Sequence, residues 1–315
     1  MKIFLVTMFD ISYAARGLAM LESSRVPYER QTVLFLGSSG SDFVSVLRSR
    51  GVNVYLEDSF LAENPELLSQ WHLKTRAEQI FTLGPLFLNK ILAGLPINSW
   101  AFYVDSDVFM YSDIQTDLCL EGKDLVLVPH NHSWWNKRRL SKYGYFNVGI
   151  VGLKSSQVGM RAADTWAKLV KQWCFDRAEG DKYADQKYLE RLALTYPSQT
   201  EQPSREYHLA PWNSSFLRIT RTEDGMIKIR NRKSVVSFHF QGLRKSGSYW
   251  ILGHLPYFGL ASKSLINHVY VPYVRAVEKN ESSYSLPSLQ AKRTRRLTRV
   301  TDLAGILIGQ RVKGA

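Results

Sequence analysis

The distribution of apolar and polar residues along the chain predicts strands and helices in alternation. Short, largely apolar runs at residues 3–8, 32–36 and 52–56 have the length of buried strands. Amphipathic helical patterns follow the first two runs, and a longer helical pattern extends over residues 73–95. Pro85 lies inside this pattern, so we expect the helix to kink or restart there.

The alternation continues further along the chain. Strands are predicted at residues 100–110, 124–129 and 145–153, and an amphipathic helix follows the last of them. Another helix is expected near Asp181 and Asp185, where one of these aspartates is either the N-cap or a functional acid. Strands that alternate with helices predict an α/β fold, a single Rossmann-like domain around a mixed central sheet.

The composition fits a folded protein with an anionic partner. Of the 315 residues, 45% are hydrophobic and 12% aromatic, so we expect a substantial core. The formal net charge of +13 favours nucleotide phosphates, nucleic acid or an acidic membrane face as the partner. Cys119 and Cys174 give neither a metal-ligand spacing nor a disulfide framework, which favours a cytoplasmic location. No apolar run approaches the roughly 20 residues of a membrane span.

The chain changes character after Ser282. Lys292–Arg299 is a basic cluster, and Leu303–Ile308 is apolar. We therefore expect a domain at residues 1–281 and a basic, partly apolar tail at residues 282–315. Such a tail is typical of a segment that lies on the anionic inner face of a membrane, although a solvated tail fits the composition equally well.

Two aspartates end the apolar run that begins at Trp100. Asp105 and Asp107 are one residue apart, and alternate residues of a strand point to the same face. Two carboxylates held together at the end of a buried strand repel each other and lose hydration, so a divalent cation between them would explain the pattern. The alternative is an ordinary turn, since turns also favour aspartate.

A second group of polar residues ends a later apolar strand. His239 is followed by Gly242 and then by Lys245. A neutral imidazole and two carboxylates can hold Mn²⁺ or Mg²⁺ and leave positions open for phosphate oxygens. Lys245 can place a positive charge on a phosphate, and Gly242 permits close approach of the backbone. Together with the aspartates, they predict a diphosphate held by a metal ion and a lysine.

Polar residues also interrupt other predicted elements. Asn147 and Gly149 lie in an apolar strand, where an amide can bind sugar hydroxyls and a glycine lets a ligand approach. Lys74 and Arg76 precede the long helix, as either a solvated helix start or a contact to the substrate.

The segment 130–140 mixes aromatic, histidine and basic residues without periodicity, which predicts a mobile flap over a ligand. His130 and His132 have the spacing of metal ligands, but neutral loop histidines are the favoured interpretation. Trp212 and Asn213 are an aromatic residue and an amide that can pack on a sugar ring.

These motifs resemble those of the GT-A glycosyltransferases, especially the retaining, glycogenin-like and galactosyltransferase-like families. The resemblance spans about residues 3 to 245. It implies a single GT-A domain in which an Asp-X-X-Tyr motif, here Asp10 and Tyr13, contacts the nucleotide base. It also implies that the aspartate pair and the late histidine bind Mn²⁺. The implied metal ligands are Asp105, Asp107 and His239.

The resemblance implies roles for the other polar residues as well. A Phe-Asn-X-Gly strand lines the donor sugar, and an Asp-Gln pair sits near its anomeric carbon. The residues expected to take part in catalysis are Asn147, Asp185 and Gln186. The residues expected to bind the nucleotide-sugar donor are Asp10, Tyr13, Arg76, Asp105, Ser106, Gly149, Gly242 and Lys245.

The sequence therefore predicts a hexosyltransferase that uses Mn²⁺ or Mg²⁺ and moves a sugar from a nucleotide diphosphate, expected to be UDP, to a saccharide or glycolipid acceptor with retention. One alternative is a phosphatase of the haloacid-dehalogenase type, whose Gly-Asp-X-X-X-Asp motif is mimicked at residues 180–185 but which leaves His239 without a role. The other is a basic nucleic-acid-binding protein that uses Trp134 and Trp135, which leaves the aspartate pair unexplained.

Overall fold

The computed structural model of the protein describes residues 1–37, 41–223, 225–230, 233–288 and 296–314. The strands are β1 (Ile3–Asp10), β2 (Gln31–Leu36), β3 (Asn53–Leu56), β4 (Trp100–Val104), β5 (Val108–Met110), β6 (Leu125–Pro129), β7 (Phe146–Lys154), β8 (Thr200–Glu201), β9 (His208–Leu209), β10 (Ile219–Arg221), β11 (Ile227–Ile229), β12 (Lys233–Ser234), β13 (Ser237–His239), β14 (Arg244–Ser246), β15 (Tyr249–Ile251) and β16 (Arg311–Lys313). The α-helices are α1 (Ala14–Ser23), α2 (Ser41–Ser49), α3 (Glu57–Ala62), α4 (Leu68–Trp71), α5 (Arg76–Ala93), α6 (Arg139–Tyr143), α7 (Gln157–Gln172), α8 (Tyr188–Thr195), α9 (Lys263–Leu265), α10 (Val271–Ser283) and α11 (Arg296–Leu307).

Seven strands form the central sheet in the order β3-β2-β1-β4-β7-β6-β8. Strands β1 to β4 are parallel to one another, and β7 runs antiparallel to both of its neighbours. The predicted α/β fold with a mixed central sheet is confirmed.

Helices cover both faces of this sheet. Leu5 of β1 and Phe102 of β4 face a core completed by α1, α2 and α10, whereas the next residue of each strand, Val6 or Tyr103, faces a second core completed by α5 and α7. Because both faces are buried, these strands are almost entirely apolar instead of alternating with polar residues; Thr7 and the terminal Asp10 of β1 are the polar exceptions. This explains the long apolar runs in the sequence.

Helix α5 is continuous through Pro85, so the predicted restart is wrong, whereas a kink at Pro85 stays a prediction. A proline in a helix removes one hydrogen bond and crowds the preceding turn. Here Leu83, Leu86 and Phe87 around the proline are buried in the second core. Burial of these side chains offsets the local cost and keeps the helix intact.

Helix α8 begins at Tyr188, with Lys187 at its N-cap position. The prediction that Asp181 or Asp185 caps a helix is therefore wrong. The residues before the helix form an irregular segment closed by paired backbone hydrogen bonds between Glu179 and Lys182, both 3.0 Å. This segment delays the start of the helix.

A second, three-stranded sheet joins distant parts of the chain in the order β5-β13-β9. Strand β13 is antiparallel to β5, and their register places His239 opposite Val108. The backbone N–H of Phe240 donates to the carbonyl of Asp107 over 2.9 Å. This pairing brings the late histidine to the aspartate pair.

The end of the predicted tail packs against the domain. Strand β16 pairs with β15, and Val312 lies opposite Trp250. Asp302 of α11 forms an ion pair with Arg244. The division of the chain after residue 281 stays a prediction, and Lys292 to Arg295 of the basic cluster lie outside the described residues. Within the described ranges, no helix has both the length and the apolar character needed to cross a bilayer.

Replacing Val312 by aspartate tests whether β16 stabilises the domain. Val312 is buried, so a carboxylate there would lose hydration without gaining a partner, and we expect the free energy of unfolding to fall by about 2–4 kcal/mol. The control Lys313→Asp changes an exposed neighbour and should alter it by less than about 0.5 kcal/mol. Urea denaturation measures both variants, and equal effects would contradict a structural role for β16.

Candidate active site

A cavity of about 480 Å³ opens where β1, β2 and β4 end. Side chains that follow parallel strands meet at this edge of a sheet, the usual position of ligand sites in such folds. Most of the site residues predicted from the sequence line this cavity. They are Asp10, Tyr13, Asp105, Ser106, Asp107, Asn147, Gly149, Asp185, Gln186 and His239.

Two predicted ligand residues lie outside the lining and are paired with carboxylates. The guanidinium of Arg76 donates two hydrogen bonds to Glu57, at 2.6 and 2.8 Å. The ammonium of Lys245 lies 3.5 Å from Glu278 and 3.5 Å from Glu281. Their roles as donor ligands stay predictions, and each would require the present contacts to be exchanged.

Gly242 also lies outside the lining, although the preceding residue, Gln241, is part of it. Its φ of +75° falls in the left-handed region, which glycine adopts without strain. The glycine therefore turns the chain sharply after β13, between the cavity and Lys245.

Asp105, Asp107 and His239 form a compact group on the cavity wall. The Nε2 atom of His239 is 3.0 Å from Oδ1 of Asp107 and 3.8 Å from Oδ2 of Asp105. One ligand atom from each residue lies within 4.8 Å of the other two. Two carboxylates and one imidazole at this spacing match the donors that Mn²⁺ and Mg²⁺ accept in proteins.

The electrostatics of the group couple these three side chains. Burial opposes ionisation of Asp107 and His239, but their mutual attraction and hydrogen bond prevail, so the pKa of Asp107 is lowered and that of His239 is raised. Burial raises the pKa of Asp105 to about 6, although the charge of His239 counteracts part of this effect. When His239 is protonated, its charge lies beside the carboxylates where a cation would bind, and we expect metal binding to release the proton.

The outer side of His239 meets a second histidine. The hydroxyl of Ser237 donates to the carbonyl of Tyr207 over 2.8 Å, so it must accept from Nδ1 of His208, which is also 2.8 Å away. Burial lowers the pKa of His208 well below its ordinary value, so the ring is neutral and its Nε2 carries a lone pair instead of a proton. This Nε2 atom and Nδ1 of His239 are both buried without a hydrogen-bond partner.

Gly149 is the point where these groups converge. A Cβ atom at this position would lie 2.6 Å from Nδ1 of His239, 2.6 Å from Oδ1 of Asn147 and 2.9 Å from Nε2 of His208. The backbone N–H of Gly149 donates to Oδ1 of Asn147 over 2.8 Å, and its carbonyl accepts from the N–H of Asp105 over 3.0 Å. The glycine in β7 is therefore required by close packing beside His239, Asn147 and His208.

The predicted acid and amide pair also lines the cavity. Burial and the charge of Asp105 together raise the pKa of Asp185 to about 8. The carbonyl of Asp185 accepts from Nε1 of Trp166 over 2.8 Å, and the amide of Gln186 donates to the carbonyl of Tyr143 over 2.6 Å. These contacts fix the segment before α8 so that both side chains face the cavity.

The residues after β1 also contribute to the cavity lining. The carboxylate of Asp10 accepts from the backbone N–H groups of Ser12 and Tyr13, at 2.9 and 3.1 Å, and caps a short 3₁₀ turn. The buried guanidinium of Arg16 lies between the rings of Tyr13 and Trp250, 5.4 and 5.7 Å from their centroids.

Sequence reasoning missed Arg16. The available signal was a single cation within the otherwise small and apolar first half of α1. Its guanidinium also donates to the carbonyl of Leu243 over 2.8 Å, which ties α1 to the loop after β13.

The segment predicted as a flap contains short helices. His130 and His132 stack with ring centroids 4.9 Å apart, and burial lowers their pKa values to about 3 and about 4. Both rings are therefore neutral at pH 7, as the sequence favoured. The indole N–H of Trp212 donates to the carbonyl of His130 over 2.8 Å, which places this aromatic ring in the cavity wall.

No model of a protein family matches the chain. The uncharacterized protein YfnF of Bacillus subtilis (strain 168) is 23% identical over 189 residues, which make up 58% of this chain and 62% of that protein. The chain thus spans about three fifths of the length of this curated relative.

Several solved structures that resemble the chain are glycosyltransferases. The galactosyltransferase LgtC in complex with donor and acceptor sugar analogs is 16% identical, with 94% of this chain and 99% of that chain covered and a TM-score of 0.47. Mouse xyloside xylosyltransferase 1 in its apo form is 14% identical, with 77% of this chain and 98% of that chain covered and a TM-score of 0.45. The bifunctional glycosyltransferase WbbM is 14% identical, with 88% of this chain and 49% of that chain covered and a TM-score of 0.47.

Replacing Gly149 by alanine tests the packing behind His239. The new methyl group would overlap three side chains, so we expect the free energy of unfolding to fall by about 1–3 kcal/mol. In Gly94→Ala, the methyl group would meet nothing closer than a carbonyl oxygen at 3.7 Å, so this variant serves as the control. Thermal unfolding compares the variants with the wild type, and an unchanged Gly149→Ala protein would contradict the close packing.

Replacing Asp185 by asparagine tests the raised pKa. The folded protein keeps the Asp185 proton at pH values where the unfolded chain has lost it, so this group lowers stability as the pH rises from about 4 to about 8. Asparagine removes this dependence. In metal-free buffer, we expect the stability gained by Asp185→Asn to grow by about 2–4 kcal/mol between about pH 5 and about pH 8. Urea denaturation at the two pH values measures the gain, and a constant gain would contradict the assignment.

Proposed function

We propose that the protein is a metal-dependent glycosyltransferase that moves a sugar from a nucleotide diphosphate, with UDP as the expected nucleotide, to a saccharide or lipid-linked acceptor. The observation that carries this proposal is the group formed by Asp105, Asp107 and His239 on the wall of a cavity large enough for such a donor. Nearby amide and hydroxyl side chains offer hydrogen bonds to a sugar.

The proposed metal ligands are oxygen and nitrogen atoms suited to Mn²⁺ or Mg²⁺. A divalent cation held there would supply positive charge to the diphosphate as it leaves the sugar. The orientation of His239 supports the assignment, because Nε2 points to the carboxylates while Nδ1 points to the buried wall beside His208.

The remaining lining residues are assigned by what their side chains can bind. Asp10 and Tyr13 lie after β1, and we expect the nucleotide base to bind there. Asn147 lines the same cavity, and its amide can bind a hydroxyl of the donor sugar. Asp185 and Gln186 are expected near the anomeric carbon.

Retention of configuration would follow from attack on the same face that the diphosphate leaves. In this scheme, the acceptor hydroxyl forms the new bond to the anomeric carbon as the bond to the diphosphate breaks, and its proton passes to a departing phosphate oxygen. Asp185 and Gln186 would stabilise the positive charge that develops on the sugar. A cation bound to Asp105 would neutralise its charge, which is one of the two causes that raise the pKa of Asp185. The charged form of Asp185 that this role needs would then be favoured.

The two alternatives lack structural support. A phosphatase of the haloacid-dehalogenase type would use Asp181 beside the aspartate pair, but Asp181 is exposed and lies outside the cavity lining. A role restricted to nucleic-acid binding leaves the buried group around His239 without a purpose.

Two uncharged polar variants test the proposed metal group. Asp107→Asn and His239→Gln should lower the Mn²⁺-dependent turnover of a UDP-sugar by more than about 100-fold. Loss of a residue that only holds a metal ligand in place costs roughly 10–100-fold, and loss of a ligand itself should cost more. Release of UDP from the donor measures the turnover, and circular dichroism checks the fold. The control Asp164→Asn, at an exposed site of α7, should keep full activity. Turnover by the wild type that persists in EDTA would contradict the proposal.

A further inference from the structure

Three aromatic side chains form an exposed surface, here called the aromatic rim. Trp134 is 77% exposed, Phe216 58% and Phe258 81%. The ring of Trp135 links the first two, with centroids 5.7 Å from Trp134 and 6.2 Å from Phe216. The indole N–H of Trp135 also donates to the carbonyl of Tyr257, the residue before Phe258, over 3.1 Å. The three segments therefore make one continuous surface.

The backbone at two of these residues is strained. Phe216 has a φ of 62° and Phe258 a φ of 53°, in the left-handed region that bulky side chains rarely adopt. Their N–H groups donate to the carbonyls of Leu260 and Leu255, both over 3.0 Å, which holds them in place. Strained backbone that presents large apolar rings to water contributes nothing to the core, so its explanation lies in a contact outside the chain.

The chain segments that carry the rim residues hold charged side chains of one sign. Residues 125–163, 207–222 and 225–277 contain lysine and arginine but no aspartate or glutamate. Lys137 and Arg138 follow Trp135 after one intervening residue and are exposed. A surface that combines exposed tryptophan and phenylalanine with lysine and arginine complements the interface of an anionic bilayer, where rings enter the head-group region and cations meet acidic lipids.

The rim lies beside the mouth of the cavity. Arg139 and Tyr257 line the cavity, and the guanidinium of Arg139 lies 4.8 Å from the centroid of the Tyr257 ring. Arg139 also donates to the carbonyl of Pro256 over 2.7 Å. The residues that border the cavity are therefore bonded directly to the segment that presents Phe258.

We propose that the aromatic rim docks on an anionic lipid bilayer, with Trp134, Phe216 and Phe258 in the head-group region and Lys137 and Arg138 against acidic lipids. This surface is separate from the tail predicted at residues 282–315. Docking would turn the mouth of the cavity toward the bilayer, so the acceptor would be a saccharide carried on a lipid. The last statement alone rests on the proposed glycosyltransferase function.

Vesicle flotation tests the docking surface. The rim variant combines Trp134→Ser, Phe216→Asn and Phe258→Asn, because asparagine tolerates the left-handed backbone and protects the fold. The control variant combines Ile97→Asn and Leu194→Asn, two residues that are 81% and 82% exposed outside the rim. Vesicles of equimolar phosphatidylcholine and phosphatidylglycerol are compared with vesicles of phosphatidylcholine alone.

We expect the wild type and the control variant to float with the anionic vesicles and the rim variant to bind them at least about tenfold more weakly. Equal binding of the rim variant and the wild type would overturn the proposal and assign any binding to another surface, such as the tail. The proposal would also be overturned if the wild type failed to bind the anionic vesicles. A rim variant that still bound vesicles but no longer bound single-stranded DNA would overturn it as well. The assay contains neither nucleotide nor metal ion, so its outcome is independent of the turnover test.

Discussion

The attraction between His239 and Asp107 is the interaction on which the candidate site depends. The two residues are far apart in the chain, and the pairing of β13 with β5 brings them together. Two carboxylates this close would repel each other at the edge of the sheet, and His239 compensates them. The same imidazole is the group that a divalent ion would use in place of its proton. The contact that stabilises the site without an ion therefore also prepares it to bind one.

The rest of the cavity wall follows from this contact. Gly149 lacks the side chain that would push His239 away, and His208 lies on the other side of the same point. Asp185 carries a raised pKa partly because Asp105 is near, so a change in the charge of Asp105 also affects Asp185. The proposed metal ligands and the predicted catalytic acid are thus electrostatically coupled, although they come from separate elements.

Much of this arrangement could be predicted from the sequence. A strand buried on both faces produces a long apolar run, and polar residues at the end of such a run are easy to recognise. Asp105, Asp107 and His239 each follow such a run. The sequence could not show what depends on contacts between distant segments. Helix α5 continues through Pro85 because its flanking side chains are buried, and two glutamates of α10 pair with Lys245 outside the cavity lining. Arg16 and His208 gain their importance only from the rings and carbonyls that the fold places around them.

The most direct test of the account is an anomalous diffraction map of crystals soaked in Mn²⁺. The account predicts one strong peak bonded by Asp107 and His239, with Asp105 on the same ion, and loss of this peak in Asp107→Asn crystals. A peak at another position in the cavity would contradict the assignment of the metal ligands. The absence of any peak in this group at saturating Mn²⁺ would contradict the central claim that it is a metal site.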